Sequence, residues 1–159
     1  MSDVVLDSNA VIMHGRAFGE RVRNAPETMT LVLPHAVKRE LVDDVLAKES
    51  APNHRESART IQRCIDEGYL AVREPDYERY SALIDEASRR IADESLPEHE
   101  VKADRYIPAL CCDLATKNTV RLVTADRKLR RIVRDMFDRY DPPHSLEIEQ
   151  PRTVLTDTG

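Results

Sequence analysis

The chain has 159 residues, 41% apolar and 33% charged, with four glycines and a formal net charge of −5. That make-up predicts one compact domain with a substantial core over 1–150 and a polar tail over 151–159, and it excludes disordered, collagenous and low-complexity chains. No basic segment leads from Met1-Ser2-Asp3 into an apolar stretch, and the longest charge-free run covers only 28–37, where a membrane span needs roughly 20 residues. The expected compartment is therefore the cytoplasm, with no membrane partner.

Val4-Val5-Leu6, closed by Asp7, reads as a buried strand. Ala10 to Met13, with Phe18 and Val22, predicts a helix interrupted by two weak points, Gly15 and Gly19. Leu31-Val32-Leu33 is a second buried run, and Pro34 suits the first turn of the helix after it. Val37, Leu41 and Val45 at i, i+4, i+8 form the apolar stripe of that helix. A break at Pro52-Asn53 precedes a helix near 56–67, stopped by Gly68. Leu70-Ala71-Val72 predicts a third strand, and Pro75-Asp76 opens a helix carrying Tyr80, Leu83, Ile84, Ala87 and Ile91.

A loop is expected at 95–99. The helix after it carries Ile107, Leu110, Cys111, Leu114 and Ala115 on one stripe. Pro108 fits that helix if it starts near Asp104, because the first four N–H groups have no internal partner. Arg121 to Thr124 predicts a strand, Lys128 to Met136 a basic helix, and Leu146 to Glu149 a last strand. About five strands alternating with helices define an α/β fold around a mainly parallel sheet.

Cys64, Cys111 and Cys112 lack C-x-x-C spacing, and the five histidines form no i, i+4 pair. Neither a disulfide framework nor a zinc site is expected. The acids are more informative. In an open α/β sheet, ligands bind at the carboxyl ends of the strands, where the crossover helices also begin. Asp7 follows the first strand, Asp126 follows Leu122-Val123-Thr124, Glu40 lies early in the second crossover, and Asp104 opens a later helix. Asp7, Asp104 and Asp126 each suit helix N-caps, whereas Glu40 sits three residues after Val37, on the apolar side of its helix. Asp43 and Asp44 read as a solvated face, and Asp113, nine residues after Asp104, as facing away from it.

Two carboxylates 4 Å apart repel by about 4 kcal/mol at an effective dielectric of 20. Four on one edge must take up protons or bind a cation, and an all-oxygen set favours Mg²⁺ or Mn²⁺.

Leu6-Asp7-Ser8-Asn9, Glu40 within Val37-Lys38-Arg39-Glu40-Leu41, Asp104 opening Asp-Arg-Tyr-Ile-Pro-Ala-Leu, and Leu122-Val123-Thr124-Ala125-Asp126 occur in this order over nearly the whole chain. The ordered set resembles the PIN-domain nucleases. That resemblance implies a three-layer α/β/α sandwich and a ribonuclease whose Mg²⁺ or Mn²⁺ is held by Asp7, Glu40, Asp104 and Asp126. It also implies supporting polar roles for Ser8, Asn9 and Thr124, with Glu100 a candidate fifth acid. Many small members resemble VapC-type toxins, held by an antitoxin and often homodimeric. Pro108 and the long acidic segment 73–104 depart from the family pattern.

Residues 121–139 hold seven bases against three acids. Arg127, Lys128, Arg130 and Arg131 beside Asp126 are the expected RNA contacts, flanked by Arg121 and Arg134, through salt-sensitive phosphate attraction. Tyr106 is the one candidate for base stacking near the acids. Two other readings compete. A haloacid-dehalogenase-like phosphatase would need a second aspartate where Asn9 stands. A non-catalytic RNA- or protein-binding module would use the acids only as helix caps.

Overall fold

The computed structural model describes residues 2–92 and 103–151. Strands β1 (Ser2–Leu6), β2 (Met29–Pro34), β3 (Ala71–Arg73), β4 (Thr119–Val123) and β5 (Leu146–Glu149) form one sheet in the order β3-β2-β1-β4-β5. Every pairing is parallel, with Val5 opposite Val32 on one side and Leu122 on the other. The first strand is thus the central one. Parallel strands covered on both faces need apolar residues at successive positions, and Val4, Val5 and Leu6 are all fully buried.

Alternation along the strands sends side chains into two layers. Val4, Leu6, Leu31 and Leu33 face α1 (Ser8–His14), α2 (Phe18–Arg23), the helical stretch α3 (residues 35–47) and α4 (Pro52–Asp66), through Val11, Phe18, Val22, Val37, Val42, Ile61 and Cys64. Val5, Val32, Val120 and Leu122 face α5 (Ser81–Ala92), α6 (Ile107–Leu114) and α7 (Arg127–Tyr140), through Ile84, Ile107, Leu110, Leu129, Val133 and Phe137. The result is the three-layer α/β/α sandwich. Each fully buried Leu or Ile contributes roughly 1.5–3 kcal/mol.

Several boundaries differ from the sequence expectation, each for a local reason. The helix expected across 10–22 is split. Gly15 at φ +50° caps α1, and a 3-10 turn, Gly15–Ala17, leads into α2. Pro34 is the last residue of β2, with extended backbone at ψ 138°, rather than part of a first helical turn. α4 starts four residues before the expected 56, with Pro52 in its first turn. Ahead of α5, Asp76 accepts the Arg79 N–H, so the expected helix opens as a turn. Pro108 falls in the first turn of α6, which begins at Ile107 rather than near Asp104. α7 runs four residues past Met136, until Asp141 adopts the left-handed conformation before Pro142-Pro143.

α3 carries the most consequential difference. His35–Lys38, the π-helical turn Arg39–Asp43 and Asp44–Ala47 follow one another directly, and the Asp44 N–H bonds to the Arg39 carbonyl, five residues back. The extra residue moves the buried stripe off the expected i, i+4, i+8 frame. Val42, not Leu41, is the fully buried partner of Val37, and Leu41 and Leu46 pack partly against the core. Such a turn is rare and re-aims the side chains it contains.

The expected loop at 95–99 and Glu100 lie outside the described residues, as does the expected tail beyond Pro151. Among the described residues, no helix is long and apolar enough to cross a membrane.

Candidate active site

Asp7, Ser8, Asn9, Ile12, Glu40, Asp104 and Asp126 line one cavity of about 110 Å³ at the carboxyl edge of the sheet. Four separate elements supply its acids. Asp7 leaves the end of β1, Glu40 projects from the π turn of α3, Asp104 lies in a helical turn ahead of α6, and Asp126 starts α7. The volume has room for several waters. Asp43 and Asp44 are solvent-exposed, with Asp43 paired to Lys38 at 2.9 Å. Asp113 points elsewhere and accepts the Asp76 N–H.

Asp7 is the most constrained of the four. It is 2% exposed and caps α1, its Oδ1 accepting the Ala10 N–H at 2.7 Å. Its Oδ2 accepts the hydroxyl proton of Thr124, a fully buried residue at the end of β4. The same Thr124 oxygen accepts the Asp126 N–H at 3.1 Å. Asp126 in turn caps α7, with Oδ1 accepting the N–H groups of Lys128 and Leu129 at 2.9 and 3.1 Å. Thr124 thus joins the two acid-bearing turns.

Burial pushes the Asp7 carboxyl above its ordinary value; the Thr124 and Ala10 hydrogen bonds oppose the rise, and the charge of Asp126 adds to it. Desolvation therefore outweighs two good hydrogen bonds, the condition under which a nearby cation would be welcome.

The cavity also holds an unsatisfied group. Ser8 Oγ is buried with no hydrogen-bond partner among the described residues, an orphan hydroxyl among oxygen ligands. Among the described residues, no three acidic, histidine or cysteine side chains close on a metal-sized space. The lining offers oxygen ligands only, which suits Mg²⁺ or Mn²⁺ better than zinc, with its preference for nitrogen and sulfur ligands. The all-oxygen donor set, the orphan hydroxyl and room for water all fit a hydrated divalent ion.

Sequence reasoning misses Ile12, which counts there towards an apolar helix face. In the structure it is 60% exposed at the cavity mouth, and its neighbour Met13 is 53% exposed. The split after Gly15 turns Ala10, Val11 and His14 inward instead, and local periodicity carries no mark of that rotation.

The basic residues divide. Arg121 forms a two-pronged pair with Glu149 at 2.6 and 2.9 Å, and Arg134 donates to the Leu146 carbonyl. Lys128 Nζ donates to the Ile91 carbonyl at the end of α5. Arg127, Arg130 and Arg131 carry no ion pair among the described residues, and Arg127 and Arg131 are exposed.

A five-stranded parallel α/β/α sandwich with these acids gathered at its carboxyl edge is the architecture of the PIN class. The chain belongs to the halobacterial PIN domain family, whose model matches residues 1–157. Among solved structures it is similar to a chain of VapBC-1 from nontypeable Haemophilus influenzae, with TM-score 0.50 and 15% identity over 95% of this chain and 98% of that one. It is also similar to a chain of VapBC2 from Rickettsia felis bound to a DNA fragment from their promoter, with TM-score 0.51 and 14% identity over 92% and 98%. At these identities the likeness is one of fold. No curated protein matches the sequence.

Proposed function

We propose that the chain is a single-domain, Mg²⁺- or Mn²⁺-dependent ribonuclease that hydrolyses RNA phosphodiester bonds at the cavity of Asp7, Glu40, Asp104 and Asp126. The observation that carries this reading is the convergence of four acids from four elements on one small cavity with an orphan hydroxyl. Family membership supports a nuclease, and the fold likeness to chains of VapBC complexes supports a toxin-like role with an antitoxin partner.

Asp7, Glu40, Asp104 and Asp126 would hold the hydrated ion, some of them directly and the others through its waters, with Ser8 and Asn9 contacting those waters. When bound, the ion supplies charge neutralisation at the scissile phosphate and a more acidic water. The residues of this chain supply the rest. Thr124 and the Ala10 N–H fix the Asp7 carboxylate, so its orientation is set before substrate arrives. Asp126 is fixed the same way by two N–H groups of α7, and Arg127, Arg130 and Arg131 extend from that helix to attract the RNA backbone. The proposed setting is the cytoplasm.

The capping roles of Asp7 and Asp126 favour a second reading, a non-catalytic binding module. One experiment separates the two. A mixed panel of structured and single-stranded RNA is incubated with wild type and Asp104→Asn in Mn²⁺, Mg²⁺ and EDTA. Metal-dependent cleavage by the wild type alone supports the nuclease. RNA retention without metal and without cleavage supports the module. Growth arrest on expression, absent for Asp104→Asn, would support the toxin role, and light scattering of the purified chain tests for a homodimer.

A further inference from the structure

Beside the acids, on the β3 side of the cavity, lies a cluster that the mechanism above does not use. Tyr77 follows β3 beyond Glu74 and Pro75, and Arg105 and Tyr106 directly follow Asp104. The Arg105 guanidinium lies over the Tyr106 ring at 4.7 Å from its centroid, and Nη2 donates to the Tyr106 hydroxyl at 2.6 Å. Tyr106 meets Tyr77 edge to face at 5.6 Å and 83°. Tyr77 donates its hydroxyl to Glu74 at 2.9 Å, which fixes the ring while leaving the residue 43% exposed.

Arg105 is distinguished from the other arginines without an ion pair among the described residues by an Nε that is buried without a hydrogen-bond partner. Of five guanidinium N–H donors, the described residues engage one, on Nη2. The exposed Arg79 lies over the Tyr80 ring at 5.5 Å in a similar way, but Arg105 is closer to its ring and part-buried. Here a positive group is immobilised one residue from a cavity acid, with donors to spare. Like any tyrosine, Tyr77 is neutral at physiological pH, and burial and Glu74 push its phenol up further, to about 12. It offers an uncharged face beside a cation, the pairing that single-stranded nucleic acid uses for base and phosphate together.

Resting on the nuclease reading, we propose that Arg105 and Tyr77 form a nucleotide-binding subsite for single-stranded RNA. Arg105 holds a phosphate next to the scissile one, and Tyr77 stacks on the unpaired base. Tyr106 is the positioning residue that holds both. With Arg127 and its neighbours across the sheet at the β4 end, this gives the strand a path over the acids from β3 to β4. It also confers a preference for unpaired RNA, because a base held in a duplex cannot reach Tyr77.

The test is fluorescence anisotropy of a labelled single-stranded RNA 12-mer in EDTA, where metal-dependent cleavage cannot interfere. The proteins are wild type, Arg105→Ala, Tyr77→Ala and Tyr77→Phe, with Arg139→Ala as a control remote from the site, and circular dichroism verifies folding. Arg105→Ala and Tyr77→Ala should each weaken binding by about tenfold. Arg139→Ala should bind like wild type, and Tyr77→Phe, which keeps the stacking face but loses the bond to Glu74, should fall between wild type and Tyr77→Ala. The decisive arm scans a single abasic position along the RNA. One position should weaken wild-type binding and cost nothing further in Tyr77→Ala. Wild-type affinity in both alanine variants, or equal abasic penalties in wild type and Tyr77→Ala, would overturn the subsite. Cleavage by the wild type in Mn²⁺ is scored separately, so a nuclease without this subsite is distinguished from a chain that is no nuclease. A wild type that binds no RNA overturns the subsite outright.

Discussion

Replacing Thr124 by valine tests the arrangement at its narrowest point. The substitution keeps shape and volume at a fully buried site and removes one hydroxyl that donates to Asp7 Oδ2 while accepting the Asp126 N–H. Loss of a hydrogen bond to a charged group costs about 1.5–3 kcal/mol, and an orphaned buried N–H about 1–3 kcal/mol more. The two are coupled through one atom, so their sum is an upper bound, and a loss of about 3 kcal/mol is expected. For a chain of this length that lowers the thermal midpoint by roughly 6–12 °C.

Thr124→Ser keeps the hydroxyl and should lose only about 1 kcal/mol for the missing methyl. The assay is calorimetric or urea unfolding in EDTA at neutral pH, repeated under acid conditions. The Thr124→Val deficit should shrink in acid, because a protonated Asp7 asks less of its donor than a carboxylate does. A Thr124→Val midpoint within roughly 2 °C of wild type, or a deficit equal to that of Thr124→Ser, would refute the bridging role.

Other expectations follow from the same geometry. Asp7→Asn should abolish cleavage yet leave the metal-free protein as stable as wild type or slightly more so, since asparagine also caps helices and carries no buried charge. The folded Asp7 pKa lies above its unfolded value, so the native state holds the proton longer. Metal-free wild type should therefore lose stability as pH rises from the unfolded carboxylate range through the folded value. Urea titrations across that range should show a flatter profile for Asp7→Asn.

Deleting Arg39 should convert the π turn to regular helix and keep Val37 and Val42 on one face at i, i+4. Glu40 would then stand two rather than three residues after Val37, turned by about 40° and drawn back along the helix from the cavity. The expected protein is folded by circular dichroism but weak in Mn²⁺ binding by calorimetric titration. Replacing Arg127, Arg130 or Arg131 by glutamine should lower RNA affinity and reduce the salt slope by about 0.7 for each phosphate no longer neutralised. Arg121→Gln, which breaks the pair with Glu149, should lower stability and leave the salt slope unchanged.

The sheet-edge rule is enough to bring Asp7, Glu40, Asp104 and Asp126 together from sequence, because parallel crossovers return every helix start to the same edge. The buried runs at Val4–Leu6 and Leu31–Leu33 are equally legible, since only a strand covered on both faces tolerates unbroken apolar residues. Glu40 reads as an inward acid from sequence, but for an incomplete reason. Regular periodicity puts Leu41 beside it, whereas a π turn that no local pattern announces substitutes Val42. The pairing of Arg121 with Glu149 and the seating of Lys128 on the Ile91 carbonyl are also hidden. Both join residues far apart in sequence, which charge counting cannot see. Asp7 and Asp126 prove to be helix caps as well as cavity acids, so the bland and the chemical readings describe the same atoms.

The central position of β1 has a temporal side. Asp7 meets Thr124 across 117 residues of chain, and β1 is flanked by β4 only after residues 119–123 exist. During synthesis the N-terminal part can pair β1 with β2 and hold Glu40 near Asp7, but the other flank of β1 remains an open edge. The bridging hydroxyl and the last acid arrive together, on one short stretch from Thr124 to Asp126. A chain still emerging from the ribosome therefore lacks the finished cavity until residues 119–126 have emerged and paired with β1, and whatever chemistry the cavity performs waits for that pairing.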